Sequence, residues 1–274
     1  MLRKARKNAN SMIEPLEERR LLAVGLDGDE LKIAGTAKDD HIFVALHAGD
    51  ASKVDVKVNN VVSTFDLAQI REIKIWGLAG NDHIELIEAN GVIPRQTRIF
   101  GGGGADTIVG GAAIDRVHGD DGNDLVTAAG NKDRVWGDSG DDSVFGGKGD
   151  DLVDGGLHND YVEGNRGDDS VFGSDGDDDC LGMDGNDSVD GGNGDDDCRG
   201  GNGLDTNHGG LGNDDFFDDK DDGGLHDLYD DHGNDDDGDN HHGRGDDDDP
   251  NHDLNDDHGG DDGGHGSDDL NDDH

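Results

Sequence analysis

Aspartate recurs at every ninth position through the middle of the chain, and these carboxylates are the side chains best placed to do chemistry. The series has no insertion or deletion and consists of Asp106, Asp115, Asp124, Asp133, Asp142, Asp151, Asp160, Asp169, Asp178, Asp187, Asp196, Asp205 and Asp214. Glycines surround each aspartate, so backbone carbonyls can also approach a ligand closely. A hard cation such as calcium prefers six to eight oxygen ligands. The spacing therefore predicts repeated cation binding.

The aspartates belong to thirteen nine-residue units that run from residue 101 to residue 217. We number the positions within each unit as places 1 to 9, with the aspartate at place 6. Place 1 is glycine except at Ala128; place 4 is glycine except at Ala113, Asn131 and His158; and place 8 is apolar except at Asn207. Places 1–6 predict a turn, and places 7–9 predict a minimal strand whose middle side chain points inward.

This pattern resembles G-G-x-G-x-D-x-U-x, the calcium-binding nonapeptide of RTX proteins, which are also known as haemolysin-type proteins. The resemblance implies a right-handed parallel β-roll in which two nonapeptides make one coil. Units two apart then stack, with Asp106 over Asp124 and Asp115 over Asp133, and calcium lies between their turns. It implies up to about eleven sites in the main run, and the gaps beside the altered turns at residues 128–131 and at His158 are the weakest candidates among them. The expected metal ligands are the thirteen place-6 aspartates and Asp82, from the matching segment Gly77–Glu85.

The composition indicates that this roll needs a cation in order to fold. The chain has 274 residues, 49 glycines and a formal net charge of −46. Such a charge with so few large apolar residues is typical of disordered chains. Each unit buries about one aliphatic side chain, and the aspartates repel one another, so we expect metal binding and folding to be one event. Nucleic acid is not an expected partner, because its phosphates would be repelled.

Residues 1–24 predict a leader or export segment. The segment Leu16–Leu22 resembles L-E-P-R-x-L-L, a leader of some large bacterial exported and surface proteins, but Glu18 stands where that pattern has proline. The alternative is a short amphipathic helix without an address. No apolar stretch is long enough for an ordinary signal peptide or a transmembrane helix. A fold that needs near-millimolar calcium would form after export, so we expect an extracellular or cell-surface protein.

Residues 25–100 predict a β-rich capping region with irregular leading coils. Valines alternate with polar residues from Val54 to Val58, Asn59 and Asn60 predict a turn, and Val61–Phe65 predict the returning strand. A further strand is expected over Ile70–Trp76. The segment Gly35–Phe43 is a looser match to the nonapeptide. Such caps cover the exposed edge of a sheet.

Residues 218–274 predict a disordered polyanionic tail, because the inward aliphatic residues end there. Four of its histidines, His242, His252, His258 and His265, could bind a transition metal, although a decayed repeat array with solvated histidines is the simpler interpretation. Cys180 and Cys198 lie at place 8 on neighbouring strands of the predicted roll. We expect two buried thiols there; a disulfide is the alternative, but in-register parallel strands aim poorly for it.

The fold class predicted from these patterns is all-β: a right-handed parallel β-roll at 101–217, an irregular β-rich cap at 25–100 and a disordered acidic tail at 218–274. No enzyme is expected, because the sequence contains neither H-E-x-x-H nor G-x-S-x-G. The predicted function is calcium binding by an exported roll with a structural, surface or interaction role. The alternative is an accessory or remnant module of a larger RTX toxin or secreted hydrolase. The sequence does not identify a protein or cell-surface partner.

Overall fold

The computed structural model describes residues 23–216 as two β-sheets that share one narrow core. The predicted tail, its histidines and nearly all of the predicted leader lie outside the described residues. One sheet has ten strands in the order β1-β2-β6-β8-β10-β12-β14-β16-β18-β20, and the other has eleven in the order β21-β19-β17-β15-β13-β11-β9-β7-β3-β4-β5. Successive strands of the repeat region thus alternate between the two sheets, as the two-unit coil of a β-roll requires.

The strands are short, as a repeat of nine residues demands. They are β1 (Ala23–Asp27), β2 (Glu30–Ala34), β3 (His41–His47), β4 (Asp50–Val58), β5 (Val61–Asp66), β6 (Glu72–Ala79), β7 (His83–Ile87), β8 (Gln96–Gly103), β9 (Thr107–Val109), β10 (Asp115–Asp121), β11 (Leu125–Gly130), β12 (Arg134–Ser139), β13 (Ser143–Lys148), β14 (Leu152–Leu157), β15 (Tyr161–Arg166), β16 (Ser170–Asp175), β17 (Asp179–Asp184), β18 (Ser188–Asn193), β19 (Asp197–Asn202), β20 (Thr206–Leu211) and β21 (Asp215–Phe216). The described residues contain no α-helix, and none of their helical segments is long and apolar enough to cross a membrane.

Parallel pairing between units two apart builds the roll, and this confirms the predicted stacking. In β12 and β14, for example, Val135 lies opposite Val153, eighteen residues later. The place-8 side chains from Ile108 to Cys198 are at most 1 % exposed and form a continuous row between the sheets. Because each strand of the repeat contributes only one place-8 side chain, the core between the sheets is narrow. Backbone pairing must therefore supply much of the order.

Cys180 and Cys198 lie opposite each other on β17 and β19, and both are buried free thiols, in agreement with the favoured prediction. The prediction of a six-residue turn and a three-residue strand was wrong. Most strands run from place 7 of one unit to place 3 of the next, as in β14, and only places 4–6 form the turn. Pairing skips place 1 and resumes at places 2 and 3. Place 2 has a positive φ in almost every unit, so the strand bends there and still forms its ladder.

The strands before residue 100 extend both sheets and change their pattern at the first coil. β2 and β3 join the parallel arrays, whereas β1 pairs antiparallel with β2, and β3, β4 and β5 form an antiparallel meander. The predicted hairpin between Val54–Val58 and Val61–Phe65 is confirmed, with Asn59 at a positive φ in its turn. The strand expected over Ile70–Trp76 begins only at Glu72. Antiparallel strands thus cover the first parallel strand of each sheet.

Candidate metal centre

The place-6 aspartates form two continuous columns, one along each edge of the roll. The long column consists of Asp82, Asp106, Asp124, Asp142, Asp160, Asp178, Asp196 and Asp214, and the short column of Asp115, Asp133, Asp151, Asp169, Asp187 and Asp205. In both columns, the backbone N–H of each aspartate donates to Oδ1 of the next, over 2.6 to 3.0 Å. The columns therefore fix one carboxylate oxygen of each residue and bring the predicted ligands into two rows.

The second carboxylate oxygen lacks a partner in most of these aspartates; at Asp115, Oδ2 accepts the N–H of Gly111 and Oδ1 is the atom without a donor. The aspartates from Asp82 to Asp196 in both columns are at most 4 % exposed. A buried Oδ2 atom without a hydrogen-bond donor is found at Asp82, Asp106, Asp124, Asp133, Asp142, Asp151, Asp160, Asp169, Asp178, Asp187 and Asp196. Burying an ionised oxygen without a partner is costly, because protein cannot solvate it as water does. Each of these atoms is therefore available to a cation.

Burial strongly favours the neutral form of these carboxyl groups in the absence of a cation. It raises the pKa of Asp124 and Asp169 to about 7 and that of Asp133 and Asp160 to about 8, with smaller contributions from neighbouring aspartates. The hydrogen bond from the preceding backbone N–H opposes this increase. The columns are thus poised to exchange protons for a metal near neutral pH.

Glycine is favoured at place 1, where only Ala128 departs from it, because the aspartate packs against the bare α-carbon. A Cβ atom on Gly101 would lie 2.4 Å from Oδ2 of Asp106 and 2.5 Å from the carbonyl oxygen of Gly119 in the next coil. Gly173 has the same relation to Asp178 and Gly191. A carboxylate oxygen and a backbone carbonyl therefore lie beside the same glycine, and both are hard ligands suited to calcium.

The altered turns do not interrupt the columns. Past Ala128 and Asn131, the N–H of Asp133 still donates to Asp151 at 2.7 Å. At His158, the place-4 residue adopts a positive φ of 79°, which is normally left to glycine, and the N–H of Asp160 still reaches Asp178 at 2.7 Å. The gaps beside these turns are the weakest of the expected sites, but the hydrogen bonds of their aspartates match those elsewhere in the columns.

Asp40 is a member of the long column that the sequence analysis did not select. Its N–H donates to Oδ1 of Asp82 at 2.7 Å. Its own carboxylate accepts hydrogen bonds from the N–H and the hydroxyl of Thr36 and from Nδ2 of Asn59. Protein donors thus satisfy the first carboxylate of the column. The looser nonapeptide match at Gly35–Phe43 contained this signal, because it places Asp40 at place 6.

A second, exposed ladder runs along place 5 and was also missed. The N–H of a place-5 residue donates to the side-chain oxygen of the Asn or Asp one coil earlier, as from Asn186 to Asp168 at 2.9 Å and from Asp195 to Asp177 at 3.0 Å. Its direction is opposite to that of the buried columns, so neighbouring coils that carry Asn or Asp at place 5 are joined both ways. The signal in the sequence is the frequency of Asn and Asp at place 5.

The arrangement as a whole suits a hard cation that binds repeatedly between coils. Orphaned carboxylate oxygens, adjacent carbonyls and carboxyl groups whose pKa is raised by burial occur together in the regular coils. Such donors favour calcium over softer metals.

Comparison with known protein families agrees with this chemistry. The family model for the RTX calcium-binding nonapeptide repeat matches four times, at residues 100–135, 127–161, 154–189 and 172–206. The matches together span the regular coils from β8 to β19. No curated protein and no solved structure matches the chain.

Proposed function

Because residues 100–206 are RTX calcium-binding nonapeptide repeats folded as a β-roll, we propose that this chain binds calcium along both aspartate columns and folds as it does so. The orphaned, buried Oδ2 atoms of the columns are the observation that supports this most strongly. The ligands would be the place-6 aspartates and Asp82, in up to about eleven sites in the main run. Asp40 is not included, because its carboxylate is already hydrogen-bonded.

Calcium supplies the positive charge that the columns lack. Ion pairs such as Asp27 with Lys32 and Asp184 with Arg166 involve carboxylates outside the columns. A row of buried carboxylates with orphaned oxygens opposes folding when ionised. A divalent ion between coils would neutralise two carboxylates at once and hold the coils together. Folding and calcium binding would then be linked.

The biological role that follows is structural. We place the protein outside the cell or on its surface, where calcium is near-millimolar, and assign it a surface or interaction role without catalysis. The division into a leader at 1–24, a cap at 25–100, the roll at 101–217 and a tail at 218–274 belongs to the same proposal. Its consequence is a repeat region that remains unfolded where calcium is scarce and folds after export.

Circular dichroism of the full chain tests the proposal. In chelator at pH 7.5, the spectrum should lack most β-structure, and calcium at about 0.1–1 mM should restore it. Magnesium is the matched control, because it retains its waters and demands tight octahedral geometry. A spectrum that is identical in chelator and in millimolar calcium would refute the proposal, and an equal response to magnesium would contradict the assignment of the metal.

A further inference from the structure

A separate cluster of metal-ligating side chains lies on the outer face of the ten-stranded sheet. His118 occupies place 9 of its unit, and Asp120 occupies place 2 of the next unit; both lie on β10. Asp138, also at place 2 of its unit, lies on β12 directly opposite Asp120. One ligand atom from each residue lies within 4.8 Å of the other two. A ring nitrogen of His118, Nδ1, is 2.8 Å from Oδ2 of Asp138. All three side chains are partly buried.

A column of stacked rings holds the imidazole of His118 in position. The ring lies between Phe100, with a centroid distance of 5.3 Å, and Trp136, at 4.5 Å, and is within 5° of parallel to both. Trp76 continues the column beyond Phe100 at 6.0 Å. Packing on both faces leaves the ring edge, with its two nitrogens, free to bind a ligand, and Nδ1 already lies beside Asp138. The side-chain entropy that a histidine normally loses on binding a metal is therefore already lost when the protein folds.

The backbone conformation does not require aspartate at position 120 or at position 138. Place 2 has a positive φ, 73° at both Asp120 and Asp138, and the equivalent residues Gly102 and Gly156 show that glycine fits there. The pair brings two carboxylates together on adjacent strands, which is unfavourable without a cation. A neutral imidazole and two carboxylates carry a charge of −2, which one divalent ion balances. A protonated His118 would balance only half of it.

We propose that His118, Asp120 and Asp138 bind one first-row transition-metal dication of the zinc type, separate from the calcium columns. The imidazole nitrogen favours such metals, because calcium prefers oxygen ligands alone. Three protein ligands leave coordination positions to water, as in open zinc sites. The same face two coils along provides a natural comparison. There, Asp154 occupies place 9 and accepts a hydrogen bond from the Ser174 hydroxyl at 2.8 Å, so the geometry recurs without a histidine.

Two substitutions remove the site and retain the fold. His118→Phe keeps a ring in the column, as Phe100 and Phe172 do at the same place of other coils. Asp138→Gly installs the residue that place 2 carries most often. Ser174→Gly is the control, because it makes the same kind of change at place 2 on the same face but outside the cluster.

Cobalt(II) binding to the full chain in saturating calcium tests the proposal. The chain has only two tryptophans, Trp76 and Trp136, so paramagnetic Co²⁺ at His118 should quench the Trp136 emission at about one equivalent. His118→Phe and Asp138→Gly should each weaken this quenching by about tenfold or more, and zinc should reverse it. Ser174→Gly should behave as the wild type.

Quenching that is absent from the wild type, or unchanged by His118→Phe and Asp138→Gly, would overturn the site. All four proteins have the same aspartate columns and are measured in excess calcium. Any Co²⁺ bound outside the His118 cluster should therefore quench all four equally. Circular dichroism of the same samples separates this result from failure of the calcium proposal. A β-rich spectrum in calcium without a cobalt response contradicts the transition-metal site alone.

Discussion

Replacing Asp169 with asparagine should strengthen the roll without calcium and weaken it with calcium. Asp169 is 2 % exposed, its Oδ1 accepts the N–H of Asp151 at 2.7 Å, and its Oδ2 has no donor. The asparagine side chain would retain an acceptor oxygen for Asp151 and would carry no charge. The substitution therefore removes the buried charge and the proposed calcium ligand while leaving the ladder in place.

The size of the effect follows from the pKa of the carboxyl group. Burial raises the pKa of Asp169 to about 7, whereas an unfolded aspartate has a pKa of about 3.9. Each unit corresponds to about 1.4 kcal/mol, so ionising this group in the metal-free fold costs on the order of 4 kcal/mol. Because the folded pKa is raised, the stabilisation is fully present below about pH 4 and is lost as the pH rises through about 7. The asparagine variant should therefore gain stability in chelator at pH 8 and gain almost none near pH 4.

In calcium, the wild type should be more stable than the Asp169→Asn variant. The variant lacks a carboxylate that neighbouring coils would share, so the calcium concentration at half-folding should rise by about tenfold or more. This corresponds to a loss of at least about 1.4 kcal/mol of calcium-binding free energy. Circular dichroism in calcium titrations and in chelator from pH 4 to 8 measures both effects. Asp168→Asn is the matched control: it removes the same charge from an adjacent, exposed residue at place 5, where Asn186 is already found one coil along. Equal behaviour of the two variants would refute the assignment of the buried column as the calcium ligand.

Three further outcomes are expected. In chelator, the wild type should show more β-structure at pH 5 than at pH 8, because burial raises the pKa of Asp142 to about 6 and of Asp133 to about 8; a flat pH profile would contradict this. Met183→Gly should raise the melting temperature in calcium, because Met183 is exposed and its φ of 84° stores about 1 kcal/mol of strain that glycine relieves. Gly192→Ala should lower the melting temperature, because the new Cβ would lie 2.2 Å from the carbonyl oxygen of Ser174. Asn207→Val should stabilise by about 1–2 kcal/mol, because Oδ1 of Asn207 is buried without a donor; an unchanged melting temperature would argue against a burial cost there.

Periodicity was enough to predict the stacking of the aspartates and the inward row at place 8. A nine-residue repeat with one apolar residue per unit permits few packings, and Asp106 and Asp124 could be paired by counting alone. The hairpin at Asn59 followed from alternation and a turn signal. These features depend on spacing, and spacing is visible in the sequence.

The strand length could not be predicted, because it depends on backbone angles that the residue types do not determine. The glycines at the start of each unit predicted a turn, yet the bend at place 2 is tight enough for strand pairing to resume there. The role of Asp40 was hidden because Asn59, which donates to its carboxylate, comes from the turn of a hairpin 19 residues along the chain. Contacts between residues distant in sequence are fixed by the fold and leave no local pattern.

The location of calcium itself tests the central claim most directly. Crystals of the full chain grown in millimolar calcium should show anomalous-difference peaks in two rows, each peak beside an orphaned Oδ2 atom of an aspartate column and between successive coils. Soaking in a lanthanide ion should place stronger peaks at the same positions. A folded roll with the buried Oδ2 atoms unliganded, or with ions only along the exposed place-5 ladder, would contradict the account.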